Sequence, residues 1–169
     1  MQRHFFAGGE RQSLETAEDL LGIDTRTAAA AGLGDAVAEI PVGSKLPAGL
    51  VIVSREDCSG QLLKQLNAAG ATLQPYRSQG AVVVLMPEVR VEFDPDQHAA
   101  ALKAAAGSSV PMSVVESAPD RLSLRPESGK GEDALDLAND IHERLGSVTS
   151  SVRMLRVVPH PKGIASVTR

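Results

Sequence analysis

The sequence predicts an α+β protein, and three observations carry the prediction. Short segments alternate apolar and polar residues with period two, alanine- and leucine-rich runs of helical period lie between them, and clusters of Gly, Pro, Asp and Ser punctuate the joins. Their order gives a ferredoxin-like βαββαβ unit over residues 88–159, preceded within residues 1–87 by a related βαββ half and an N-terminal β-hairpin. An extended tail follows over residues 160–169.

Residues 3–6 read as a strand, Gly8-Gly9 as a tight turn and residues 12–15 as the returning strand. Leu20, Leu21 and Ile23 mark a strand candidate within residues 18–24, residues 25–31 form an alanine-rich helix candidate, and residues 41–47 are loop. Leu50, Val51, Ile52 and Val53 make a near-continuous apolar strand. Residues 56–69 read as a helix with Leu62, Leu63 and Leu66 on one side and Gly70 as its stop. Thr72, Gln74 and Tyr76 alternate with Leu73 and Pro75, and residues 81–85 follow the Ser78-Gln79-Gly80 turn as a second strand. Met86-Pro87-Glu88 then serves as a short junction.

In the central unit Val89, Val91 and Phe93 alternate with Arg90, Glu92 and Asp94, the pattern of a strand with one buried face. Asp94-Pro95-Asp96 turns and caps an alanine-rich helix over residues 97–106, which Gly107 ends. Val110, Met112 and Val114 open a hairpin that turns at Pro119-Asp120 and returns through Leu122 and Leu124. After the polar loop of residues 126–131, residues 132–145 place Ala134, Leu137, Ala138, Ile141 and Leu145 on one helical stripe. Glu132 and Asp133 occupy its first turn, where the helix dipole favours anions. Residues 148–158 form a valine-rich last strand that runs into Pro159.

With 169 residues and 43% hydrophobic content the chain is long enough to bury a core without staples. Only 2% of residues are aromatic, so that core must be built from small aliphatic side chains. The net charge of −4 argues against a general nucleic-acid binder. Residues 146–169 nevertheless carry Arg153, Arg156, Lys162 and Arg169 and no acid, which suits either a guarded edge strand or an arm for an acidic surface. No apolar run reaches membrane-spanning length and the N-terminus lacks a signal-peptide core, which implies a cytoplasmic protein or one from which an export signal has been removed.

Chemistry finds no constellation to use. His4, His98, His142 and His160 are scattered, and none stands at metal-ligand spacing with another His or with the single cysteine, Cys58. Asp94 and Asp96 lack the glycine and terminal glutamate of a calcium loop. Glu127-Ser128-Gly129-Lys130-Gly131 lacks the earlier glycine and the following Ser or Thr of a phosphate loop. The sequence thus predicts a non-catalytic chain with no cofactor and no metal.

The opening His4-Phe5-Phe6-Ala7-Gly8-Gly9-Glu10-Arg11 with Leu14 and Asp19-Leu20-Leu21, then Gln74-Pro75-Tyr76-Arg77, Met86-Pro87-Glu88-Val89-Arg90-Val91-Glu92-Phe93 and the helix before the valine-rich strand, form a set. Together they resemble the N-terminal prodomain region of bacterial subtilisin-like serine proteases, over most of the chain. The resemblance implies a ferredoxin-like fold whose open sheet face packs on two helices of the protease, while the segment after the last strand lies in the active-site cleft like a substrate. It implies a folding chaperone and temporary inhibitor. On this sequence the sheet face would draw on residues 89–93, 110–115, 122–124 and 148–158, and the cleft segment would be residues 159–169. Val157, Val158, Pro159, His160, Pro161, Lys162 and Gly163 are then the expected partner-binding residues, since an extended segment can add to substrate-binding strands through main-chain hydrogen bonds.

The departure from the family is the lack of any protease Asp, His or Ser motif. The chain therefore reads as an excised region of a longer protein, or as a free-standing relative that binds a protease or another protein in trans. Two other classes compete: a structural or assembly adaptor, and a small-molecule regulatory domain of the ferredoxin-like kind.

Overall fold

The N-terminal hairpin forms in the computed structural model, which describes residues 2–157. Strand β1 (Gln2–Ala7) turns through Gly8 and Gly9 into β2 (Glu10–Thr16), and both glycines have positive φ, +59° and +82°. That pair of left-handed residues is the two-residue turn whose twist matches antiparallel strands. There follow β3 (Leu20–Asp24), α1 (Thr25–Ala30), α2 (Gly34–Ala38), β4 (Ser44–Lys45), β5 (Leu50–Ser54), α3 (Gly60–Ala68), β6 (Thr72–Leu73) and β7 (Tyr76–Ser78). The remainder is β8 (Ala81–Glu92), α4 (His98–Ala106), β9 (Met112–Ala118), β10 (Arg121–Pro126), α5 (Gly131–Arg144) and β11 (Thr149–Val157). The chain is a mixture of helices and antiparallel strands, as the α+β reading expects.

Its contacts divide into two units. The first comprises Glu15–Val84 with residues 155–157, and the second comprises Gln2–Leu14 with Leu85–Met154. The grouping differs from a boundary at residue 87, because β1 belongs with the second unit. The reason is side-chain chemistry on α5, described below.

In the first unit β4, β5, β3 and β6 form one antiparallel sheet in that order, with Ile23 opposite Val51 and Leu21 opposite Val53. Its core gathers Leu21, Ile23, Val51, Val53 and Leu66 with the small residues Ala28, Cys58 and Ala71. Asp24 ends β3 and caps α1, its Oδ1 accepting from the Arg26 and Thr27 amides at 3.1 and 3.2 Å. The helix expected over residues 56–69 divides: Arg55–Asp57 is a 3-10 turn, and Ser59 then caps α3 by accepting from Leu62 N at 3.2 Å. Helix α2 and the short β4 lie where the sequence offered no periodic signal.

Asp19 and Arg77 face each other in a bidentate pair, with N–O distances of 2.6 and 2.7 Å. The guanidinium holds the Asp19 carboxyl down at about 2, against an ordinary 3.8. A depressed folded-state pKa stabilises the fold fully above the unfolded value, and the contribution disappears as pH falls from 3.8 through about 2. Urea unfolding of the wild type and Asp19→Asn should therefore give a stability difference that shrinks to nothing across that window. Both side chains are solvent-exposed, so added salt should shrink it too. A difference that persists unchanged in strong acid would mean that Asp19 acts through something other than its charge.

In the second unit β8 pairs with β10 and β11, and β10 pairs with β9. Leu122 lies opposite Val91 and Leu124 opposite Val89, and all four are fully buried. Their neighbours Arg90, Glu92, Arg121 and Arg125 are exposed, so one side of the strands packs and the other is open. Ala134, Leu137 and Ile141 of α5 supply the packing, with Ala101 and Ala105 of α4. The close approach of α5 to β8 depends on Gly131, where an added Cβ would sit 2.2 Å from the Leu85 carbonyl oxygen.

Strand β8 corrects the expected junction at Met86-Pro87-Glu88, for it runs unbroken through those residues. Proline lacks the donor for a ladder, but Pro87 falls between the stretch that pairs with β7, residues 81–83, and the stretch that pairs with β10, residues 89–92. The pattern of two short strands is one long strand with two successive partners. No described helix is long and apolar enough to cross a membrane.

Candidate functional site

Two features of the second unit bear on function. The first is the open side of its strands. Arg90 pairs with Glu92 at 2.8 Å along β8, Arg121 of β10 with Glu116 of β9 at 3.2 Å, and Arg153 of β11 with Glu88 of β8 at 3.2 Å. The six side chains remain about half exposed, between 45% and 57%. Such pairs contribute little to stability, roughly 0–1 kcal/mol each. They leave this face lined with half-exposed charges of both signs.

Strand β9 borders the face and pairs only with β10 among the described residues. Val114 and Val115 are exposed on it, at 42% and 65%. The register with β10 shifts beside Val115, and Pro111 and Pro119 flank the strand. A bulge and flanking prolines are the devices that keep a strand edge from pairing with another chain.

The second feature lies where β1 meets α5. Asn139 Nδ2 donates to the His4 carbonyl at 2.9 Å, and Arg3 approaches Asp136 at 3.3 Å. The Phe6 ring stacks on His142 with centroids 4.1 Å apart, and His4 meets the edge of Phe6 at 5.4 Å. Partial desolvation of Asp136 on α5, with help from the neighbouring acids Asp133, Asp140 and Glu132, raises its pKa against the pull of Arg3. Leu135 and Ala138 of α5, both buried, face this side. Between them, β1 and residues 149–154 of β11 lies a cavity of about 270 Å³, lined by Phe5, Phe6 and Ala7 on one wall and Ser151, Val152 and Met154 on the other.

The residues expected from sequence to touch a partner fare differently. Val157 is the half-buried last residue of β11. Val158, Pro159, His160, Pro161, Lys162 and Gly163 lie outside the described residues. His98 and His142 are half-buried ring partners: His98 meets Phe93 edge-on at 5.6 Å and lies 3.0 Å from Ser117 Oγ, while His142 stacks on Phe6. Cys58 is buried in the first unit, and burial pushes its thiol pKa up, away from nucleophilic reactivity. Among the described residues no three His, Cys, Asp or Glu side chains gather as metal ligands.

Sequence reasoning missed the contact of β1 with α5. Its signal was available in Leu135, which lies outside the stripe of Ala134, Leu137 and Ile141 yet is fully apolar. A helix with a second apolar flank covers a second neighbour. No protein-family model matches the chain, and no curated protein matches it by sequence.

Proposed function

We propose that the second unit is a ferredoxin-like, prodomain-like module that binds a subtilisin-like serine protease, inhibiting it or chaperoning its folding. The observation that supports this reading most is the open strand face: helices cover one side while Arg90, Glu92, Arg121 and Arg153 stand half exposed on the other. The succession of β8, α4, β9, β10, α5 and β11, with β8 between β10 and β11, agrees with the ferredoxin-like order. A face held by polar pairs suits a partner that must later leave.

The test is a titration of the chain into subtilisin with a chromogenic peptide substrate, for the full chain and for one lacking residues 159–169. Tail-dependent inhibition with unchanged circular dichroism is the expected result. Inhibition that survives the deletion, or unfolding on deletion, would sink the cleft-binding role of the tail. The small-molecule regulatory reading is second, and the apolar cavity beside β1 is the observation in its favour.

A further inference from the structure

We infer that the cavity between β1, α5 and β11 is a binding site for a small uncharged aliphatic amide, held by the main chain of Phe6. The argument begins with the turn. A two-residue turn with positive φ at both Gly8 and Gly9 closes on Ala7 and Glu10 as a hydrogen-bonded pair. Hydrogen-bonded pairs recur at every second residue, so Phe5 points its amide and carbonyl toward β2 while His4 and Phe6 point theirs away. The Asn139 side chain meets the His4 carbonyl from α5, as that orientation requires. Phe6 therefore offers one N–H and one C=O on the side of β1 that pairs with no other strand among the described residues. Phe6 is also in the cavity wall.

The ligand class follows from what lines the rest. Leu135, Ala138, Val152 and Met154 are aliphatic, Asn139, Thr149, Ser150 and Ser151 are polar but uncharged, and no Lys, Arg, Asp or Glu lines the cavity. An ion would lose its water there without a counter-charge, whereas an alkyl group gains by entering. An adjacent donor and acceptor on one residue match the acceptor and donor of an amide, the pairing that one strand offers another. Asn139 already presents such a group to His4, one outward residue away.

The experiment is an amide-resolved NMR titration of the isotope-labelled full chain with N-acetyl-valine N-methylamide. Saturable shifts centred on Phe6, Ala138 and Ser151 are expected. Ala7→Trp, at an exposed position on the cavity wall, should weaken binding about tenfold or more by filling the space. Ser151→Trp, on the opposite wall and also exposed, gives the same test should the first variant fail to fold. N-acetylvaline, which carries a carboxylate in place of the second amide, should bind at least about tenfold more weakly. Shifts that do not saturate, shifts that ignore a folded tryptophan variant, or equal binding of the carboxylate would each overturn the assignment.

Discussion

Gly131→Ala should unfold the second unit or leave it severely weakened. The new Cβ would stand 2.2 Å from the Leu85 oxygen, 2.6 Å from its carbonyl carbon and 2.7 Å from its Cβ. Two of those three atoms are backbone, so no rotamer change relieves the clash. Either α5 lifts from β8 or β8 bends. Overpacking in a core costs about 1–3 kcal/mol and sometimes more. The upper end is expected here, because moving α5 also disturbs the packing of Ala134, Leu137 and Ile141. Gly60→Ala is the control: nothing lies within 4 Å of the added carbon at the start of α3, and alanine should be neutral or stabilise by up to about 1 kcal/mol. Urea unfolding followed by circular dichroism separates the two. A Gly131→Ala protein as stable as the wild type would show that α5 has room to move.

Leu66→Ala in the first unit should cost about 2–5 kcal/mol. Leu66 is completely buried, in a cluster whose members include the small residues Ala28, Cys58 and Ala71. Small neighbours have few atoms with which to refill a void, so the cavity left by the leucine should persist. Relaxation of Leu62 and Leu63, which like Leu33 are only partly buried against the cluster, is a nearby source of compensation. A loss below about 1 kcal/mol would mean that these two side chains close the gap.

Most secondary structure was legible because its signals are local. The Gly8-Gly9 turn, the apolar run at residues 50–53 and the stripe on α5 each lie within one element. What stayed hidden depends on partners distant in sequence. Pro87 reads as a break, and only the pairing of β8 with two different strands shows why it is tolerated. Helix α2 spans only Gly34–Ala38, too short for a period to register. The union of β1 with α5 turns on His4, Phe6, Asn139 and His142, none of which carries a motif. The open face was foreseeable from the alternation at residues 89–93, but its web of ion pairs was not. That web joins strands far apart in the chain, as Glu88 does with Arg153.

The docking of β1 on α5 sets an order of events during synthesis. The His4 to Asn139 hydrogen bond spans 135 residues and the Arg3 to Asp136 pair spans 133. At about 5–20 residues per second, a ribosome needs roughly 7–27 s to make the residues between His4 and Asn139. Throughout that interval the hairpin can fold on itself but has no α5 to cover Phe5 and Phe6, while residues 15–84 already contain all the strands of their own sheet. Strand β1 is thus made long before the helix it packs on, and its aromatic rings stay uncovered by α5 until residues 131–144 have been made.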